Sequence, residues 1–186
     1  MKVIQGSLKG RLLACPAGIR PASLMVKKAC FDILRGEVEG SRVLDLFAGT
    51  GALGIEAISL GAKEAVFIDN NGQSVDAIQK NITALNISGK AYVHQKDAYL
   101  ALPLFVQRHE VFDIVFLDPP YHQGTLRKIL HSLGEYDIVA PSRYIVALCY
   151  DKDEFPKENG LFSLICEKKY GQNLLLIYKK KELLKP

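Results

Sequence analysis

The residues with the clearest chemical potential form a turn, Asp118-Pro119-Pro120-Tyr121, which follows a largely apolar run at residues 111–117. A short run of apolar and β-branched residues is typical of a strand buried on both faces. Two consecutive prolines cannot continue a β-ladder, so the chain must leave the sheet there in a stiff turn. Ligands bind at the carboxyl ends of strands in open α/β sheets, where this turn would offer a carboxylate, a backbone carbonyl and an aromatic ring. These groups suit a planar nucleobase amine, although an Asp-Pro pair by itself more often forms an ordinary β-turn.

A second chemical signal is the segment Gly49-Thr50-Gly51-Ala52-Leu53-Gly54, which follows a predicted strand ending near Asp45. It matches the pattern G-x-G-x-x-G, and Asp69 lies at the distance expected of a ribose-binding acid. A dinucleotide-dependent dehydrogenase is therefore one interpretation. Asp45 argues against it, because its carboxylate would face a pyrophosphate with like charge. A ligand with an ammonium and a sulfonium group, such as S-adenosylmethionine, would instead be attracted.

Three acids follow three successive predicted strands and could line one ligand. Asp45 would face the methionine end through the loop, Asp69 would accept from the ribose hydroxyls, and Asp97 would accept from the adenine amine. Asp97 alone is equally well explained as a helix N-cap. The candidate cofactor-binding residues are Asp45, Phe47, Ala48, Gly49, Thr50, Gly51, Asp69, Asn70, Asp97 and Ala98.

The predicted elements carry these motifs on one sheet. Strands are predicted around residues 43–46, 65–69, 91–94, 111–117 and 143–150 with helices between them, and two adjacent strands follow at 161–168 and 173–178. Such alternation indicates βαβ units. We therefore expect an α/β fold with a doubly wound, seven-stranded, mostly parallel sheet whose last strand is antiparallel. A short β-hairpin is predicted before it, so residues 1–21 would be an N-terminal extension and residues 22–186 the main domain.

The composition of the 186 residues, 48% hydrophobic and 24% charged, is ordinary for a globular protein of one domain. No apolar run reaches transmembrane length, and the N-terminus lacks a signal-peptide pattern. The four cysteines have no metal-ligand spacing and indicate reduced thiols. We therefore expect a cytoplasmic protein. The four histidines form no ligand cluster, so no metal is expected.

Positive charge is concentrated at the N-terminus. Residues 1–36 contain seven basic side chains and one acidic side chain, on a chain whose net charge is +4. A basic N-terminal segment on a chain that is otherwise nearly neutral suits a polyanionic partner. The candidate RNA-binding residues are Lys9, Arg11, Arg20, Lys27 and Lys28.

The glycine-rich loop and the Asp-Pro-Pro-Tyr turn together resemble the class I S-adenosylmethionine-dependent methyltransferases. The turn is similar to the motif of those that methylate exocyclic amines. The N-terminal part is similar to the RsmD type of 16S ribosomal RNA guanine-N2 methyltransferases. That likeness is carried by residues 3–11, Ile19-Arg20-Pro21, Phe31-Asp32-Ile33-Leu34 and the closing Tyr170-Gly171-Gln172. The chain departs from the family pattern at Gln5 and at Leu24-Met25, positions that concern RNA contact and not the cofactor site.

The resemblance implies methyl transfer from S-adenosylmethionine to the N2 amine of a guanine in 16S ribosomal RNA. The substrate would be the small ribosomal subunit or its assembly intermediate, and the enzyme a monomer with residues 22–186 as its methyltransferase domain. Asp118, Pro119, Pro120 and Tyr121 would be catalytic, with Asp118 and the Pro119 carbonyl holding the amine and Tyr121 stacking on the base. Alternatives remain, because the turn serves any planar amine: adenine N6 in DNA, or a protein glutamine. A ribosome-assembly factor without catalysis is a third possibility.

Overall fold

The computed structural model describes residues 1–16, 23–120 and 124–182. Helices and strands alternate along most of this part of the chain. In chain order the elements are α1 Leu24–Ile33, β1 Arg42–Asp45, α2 Ala52–Ser59, β2 Glu64–Asp69, α3 Gly72–Leu85, β3 Ala91–Gln95, α4 Ala98–Gln107, β4 Phe112–Leu117, α5 Thr125–Glu135, β5 Val139–Tyr150, β6 Glu158–Asn159, β7 Phe162–Tyr170 and β8 Asn173–Lys180.

The strands form one sheet in the order β3-β2-β1-β4-β5-β8-β7-β6. Strands β1 to β5 are parallel to one another, with Val43 of β1 opposite both Ala65 of β2 and Ile114 of β4. Strand β8 runs antiparallel to β5, and β7 antiparallel to β8. The expected α/β fold with a mostly parallel sheet and an antiparallel last strand is confirmed. The chain reverses its winding direction between β1 and β4, where doubly wound sheets bind ligands.

Two apolar layers hold helices against both faces of the sheet. Val43 packs in the layer shared with α1, α2 and α3, whereas its neighbour Leu44 packs in the layer shared with α4 and α5. Successive side chains on a strand point to opposite faces, so a strand covered on both sides is apolar at consecutive positions. This explains the continuous apolar runs that the central strands show in the sequence.

The sheet has one strand more than predicted. The additional strand β6 has two residues and pairs with β7 at the edge of the sheet. So short a segment shows no alternation that a sequence pattern could reveal. Strand β5 also begins earlier than predicted, at Val139, with an irregular register against β4.

The predicted N-terminal hairpin is reduced to one antiparallel bridge between Lys2 and Leu12. Backbone hydrogen bonds flank it, from Val3 N to Arg11 O (3.0 Å) and from Leu13 N to Met1 O (2.8 Å). Val3 and Leu13 are buried in the same apolar layer as α1 and α2. The extension therefore packs on the main domain, while the predicted boundary at residues 21 and 22 lies outside the described residues. Among the described helices, none combines the length and the apolar character that a membrane crossing requires.

Candidate active site

Asp45 lies at the carboxyl end of β1 and is almost completely buried, with 1% of its surface exposed. Its Oδ2 accepts a hydrogen bond from the backbone N–H of Gly54 at 3.2 Å. Its Oδ1 is buried and has no hydrogen-bond partner among the described residues. Burial raises the pKa of the Asp45 carboxyl, opposed by the hydrogen bond from Gly54 and assisted by the charges of Asp118 and Asp69, to about 7. A buried acceptor without a donor is costly, so this position is suited to a ligand that brings one.

The glycine-rich loop joins β1 to α2 and requires its glycines. Gly49 and Gly51 have φ values of +55° and +76°, in the left-handed region that glycine adopts without strain. Gly54 lies in the first turn of α2, where an added Cβ would come within 2.3 Å of Cε1 of Phe67. The missing side chain of Gly54 therefore allows α2 to pack closely against β2. Thr50 is buried, Ala48 is buried, and Phe47 is partly exposed.

Asp69 ends β2 and connects that strand to the glycine-rich loop. Its Oδ2 accepts from the N–H of Gly49 at 2.8 Å, and its Oδ1 accepts from the N–H of Asn71 at 2.9 Å. The carboxylate is partly exposed, and Asn70 beside it is exposed. Each carboxylate oxygen accepts more than one hydrogen bond, so Asp69 retains capacity for ribose hydroxyls.

Asp97 is the N-cap of α4. Its Oδ1 accepts from the backbone N–H groups of Tyr99 at 2.8 Å and Leu100 at 3.3 Å. The N-cap interpretation is therefore confirmed, whereas contact of Asp97 with an adenine amine stays a prediction. Ala98, the next residue, is buried.

The Asp-Pro-Pro turn follows β4, which lies between β1 and β5 in the sheet. Asp45 is opposite Phe116 in the pairing of β1 with β4, so Asp118 comes two residues beyond the end of that pairing. Asp118 is partly exposed, Pro119 is buried and Pro120 is exposed, while Tyr121 lies outside the described residues. The tertiary structure thus brings Asp45, Asp69 and Asp118 to the same edge, where the charges of Asp69 and Asp118 raise the pKa of Asp45.

The ends of β1, β2 and β4 lie side by side at one edge of the sheet. The glycine-rich loop and Asp69 line one side, and the Asp118 turn lines the other. Among the described residues, no group of three His, Cys, Asp or Glu side chains is arranged to hold a metal ion.

A protein-family model described as Conserved hypothetical protein 95 matches residues 1–179, almost the whole chain. The chain belongs to this family. It is 36% identical over 183 residues to YlbH of Bacillus subtilis (strain 168), which covers 97% of the chain and 100% of YlbH. It is 31% identical to Ribosomal RNA small subunit methyltransferase D of Escherichia coli (strain K12), with 97% of the chain and 90% of that protein covered. The solved structure of yhhF from Escherichia coli superimposes with a TM-score of 0.86 at 29% identity, covering 98% and 99% of the two chains.

In this member of the Conserved hypothetical protein 95 family, Lys27 does not lie at the surface, where an RNA-binding residue is expected. The prediction of an RNA-binding surface residue is wrong, because Lys27 is completely buried. Its Nζ lies 2.7 Å from Oε2 of Glu56, which is equally buried, and donates to the carbonyl of Lys2 at 3.0 Å. An ammonium paired inside the protein cannot reach a phosphate in solvent.

The other candidate RNA-binding residues have different surroundings. Lys9 and Arg11 are exposed, and Nη2 of Arg11 donates to the carbonyl of Ala84 at 2.9 Å. Lys28 is exposed and forms an ion pair with Asp32 at 2.5 Å, one turn along α1. Arg20 lies outside the described residues. RNA contact by these four residues stays a prediction.

Glu56 and Asn81 were missed by the sequence analysis, although both act on the N-terminal extension. The carboxylate of Glu56 accepts from the N–H groups of Ile4 (3.0 Å) and Gln5 (2.6 Å). Asn81 of α3 is buried and donates to the carbonyl of Thr50 at 3.1 Å, while its Oδ1 accepts from the N–H of Ala14 at 2.7 Å. One signal was available for Glu56: a single acid in the otherwise apolar helix α2 predicts a buried partner.

Proposed function

We propose that this protein transfers a methyl group from S-adenosylmethionine to the exocyclic N2 amine of a guanine in 16S ribosomal RNA. The observation that carries the proposal is the Asp118-Pro119-Pro120 turn at the end of β4, beside the buried carboxylate of Asp45. The two lie where the winding of the sheet reverses, so a cofactor held by β1 and β2 would be adjacent to a base held at β4.

The cofactor side is supported by the chemistry of its donors and acceptors. Among the residues that the structure describes, none donates to the buried Oδ1 of Asp45, and Asp69 is an acid at the end of the next strand. A ligand with an ammonium group, ribose hydroxyls and no phosphate fits these acids, whereas NAD would bring a pyrophosphate close to Asp45. S-adenosylmethionine supplies, when bound, a methyl group on a positively charged sulfur. Residues 47–51, Asn70, Asp97 and Ala98 would complete its surroundings.

The target side is supported by the groups that the turn presents. The guanine amine is a poor nucleophile, because its lone pair is delocalised into the ring. Asp118 and the Pro119 carbonyl would accept its two hydrogens and direct the lone pair toward the methyl group. As the N–C bond formed and the S–C bond broke, leaving a neutral thioether, the carboxylate of Asp118 would stabilise the positive charge on the nitrogen, which would then lose a proton. Tyr121 would stack on the base, which must leave its RNA stack to enter the site.

Ribosomal RNA is proposed as the substrate because of the family and because of the basic N-terminal segment. The Escherichia coli relative is named a methyltransferase of small-subunit ribosomal RNA, and 97% of this chain aligns with it. Lys9 and Arg11 are exposed on residues 1–16, which are anchored to α2 and α3. We propose that residues 1–21, including Arg20, act with Lys28 as the RNA-binding extension of a monomeric, cytoplasmic enzyme.

Methylation of isolated subunits tests the proposal. Small ribosomal subunits and free 16S RNA from cells lacking this protein would be incubated with the purified enzyme and labelled S-adenosylmethionine. Mass spectrometry of nuclease fragments should find one N2-methylguanine. Transfer to adenine N6 or to a protein glutamine would support an alternative amine substrate. RNA binding without transfer, to either form of the substrate, would favour an assembly factor without catalysis.

A further inference from the structure

A second cleft lies beyond the Asp118 turn, on the side away from the glycine-rich loop. Its volume is about 930 Å³, and its walls are the first two turns of α5 and the loop between β5 and β6. Gly124, the N-cap of α5, follows Asp118 by six residues. Strand β5, which leads to the other wall, is the neighbour of β4 in the sheet. The cleft therefore lies at the same sheet edge as the proposed active site, next to the position of the target base.

The walls of this cleft are held by buried or backbone-directed hydrogen bonds. The hydroxyl of buried Tyr178 donates to the carbonyl of Pro156 at 2.9 Å. The side chain of Asn159 donates to the carbonyl of Leu130 in α5. The carboxylate of Asp153 accepts from the N–H of Tyr150 at 2.9 Å. These contacts fix the loop to β5 and β8 and hold β6 against α5, so the cleft is formed before any ligand binds.

Cationic side chains come from both walls. Arg127 and Lys128 belong to α5, and Lys152 belongs to the facing loop. Arg127 is paired with Glu154 at 3.1 Å. Within residues 1–16, 23–120 and 124–182, neither Lys128 nor Lys152 has a carboxylate within ion-pair distance, and both are exposed. Two uncompensated ammonium groups on opposite walls favour a ligand with a negative charge between them.

We propose that this cleft binds the phosphodiester backbone of the RNA on one side of the target nucleotide, with Lys128 and Lys152 contacting phosphates. This inference rests on the proposed function. A base that leaves its stack to reach Asp118 draws its flanking backbone toward the same sheet edge. Phosphate contacts on that backbone set its position, while the base is read at the turn. The cleft is large enough for a nucleotide, and its three cations, Arg127, Lys128 and Lys152, outnumber its two acids, Asp153 and Glu154.

A charge reversal with a matched control tests the inference. The double variant Lys128→Glu/Lys152→Glu is compared with Lys63→Glu/Lys90→Glu, which changes the charge equally at exposed lysines just before β2 and β3, at the opposite edge of the sheet. Binding of 16S ribosomal RNA is measured at several salt concentrations. The cleft variant should bind roughly tenfold more weakly, and its log–log salt slope should be smaller by about 1.4 to 1.8, the value for two phosphates. Affinity for S-adenosylmethionine should stay unchanged.

Ethylation interference gives a second readout. Ethylated phosphates within a few nucleotides of the methylated guanine should block binding of the wild-type protein and have less effect on the cleft variant. One outcome is that the wild-type protein methylates RNA while the cleft variant binds RNA with the same affinity and the same ethylation-interference pattern as the wild type. In that case the cleft is not an RNA site and the methyltransferase function stands. Equal weakening in the control variant also overturns the inference, because general charge would explain it. If the wild-type protein methylates no RNA, the proposed function itself fails.

Discussion

Asp118 is the residue on which the proposed chemistry most depends. Asp118→Ala removes both the acceptor that orients the amine and the charge that stabilises the transition state. Loss of one such preorganised group costs roughly 2.7–4 kcal/mol, so single-turnover methylation should fall about 100- to 1000-fold. Asp118→Asn should recover little, because its carboxamide has no charge. Cofactor affinity, measured by calorimetry, should survive both changes. Near-normal turnover in Asp118→Ala would mean that the Asp118-Pro119-Pro120 segment is only a structural turn.

Asp45 provides a pH test of the cofactor site. Burial raises the pKa of its carboxyl from 3.8 to about 7, so the folded protein without cofactor holds a proton that the unfolded chain has already released. This contribution to the free energy of unfolding is present below about pH 4 and is lost as pH rises to about 7. The free energy of unfolding, measured by denaturant titration, should therefore decline less between about pH 4 and 8 in Asp45→Asn than in the wild type.

A cationic ligand would favour the ionised form of Asp45. Binding of S-adenosylmethionine near pH 6 should therefore release a proton, and its affinity should rise with pH toward 7. Calorimetry in two buffers of different ionisation enthalpy measures that proton, with Asp45→Asn as the control. Equal binding heats in both buffers, or tight binding of NAD instead, would contradict the assignment of this site.

The packing of α1 on α2 depends on the buried ion pair of Lys27 and Glu56. Both side chains are completely buried, and Glu56 also holds the backbone of Ile4 and Gln5. Glu56→Gln leaves a buried ammonium without its counter-charge, which should lower the free energy of unfolding by about 3–5 kcal/mol. Lys27→Met added to Glu56→Gln should recover part of the loss, because it removes the uncompensated charge.

The exposed pair on the same helix is the matched control. Lys28 and Asp32 are ion-paired at the surface, where solvent screens the attraction. Lys28→Ala should leave the denaturation midpoint nearly unchanged. If Glu56→Gln is as mild as Lys28→Ala, or if Lys27→Met makes it worse, the buried pair does not stabilise the extension as inferred.

At the scale of the whole molecule, RNA affinity should depend on the N-terminal extension, which is attached to α2 and α3. Replacing Lys9, Arg11 and Arg20 by Ala removes three cations that would neutralise phosphates. The log–log salt slope of 16S RNA binding should then fall by roughly 0.7–0.9 for each phosphate that is no longer neutralised. Lys63→Ala/Lys90→Ala serves as the control, and cofactor binding should be untouched in both variants. An unchanged salt slope in the triple variant would make these residues ordinary surface.

The sequence by itself determined the fold class and the location of the candidate site. The glycine-rich loop, the double proline and the apolar strands are local patterns, and local sterics and side-chain periodicity dictate what each can form. Asp45, Asp69 and Asp118 follow predicted strands, and parallel strands end at one edge. Their arrangement was therefore predictable without any knowledge of packing.

Only the tertiary structure decided how the N-terminal extension is attached to the main domain. Lys27 looked like a surface cation, but its partner Glu56 lies 29 residues further along the chain, and both are buried where α1, α2 and residues 2–5 come together. Asn81 joins Ala14 to Thr50 across three separate elements, which no local pattern encodes. The raised pKa of Asp45 likewise depends on the surrounding layers excluding water. Burial and the pairing of distant polar groups are properties of the packed molecule, because desolvation acts only once the elements have come together.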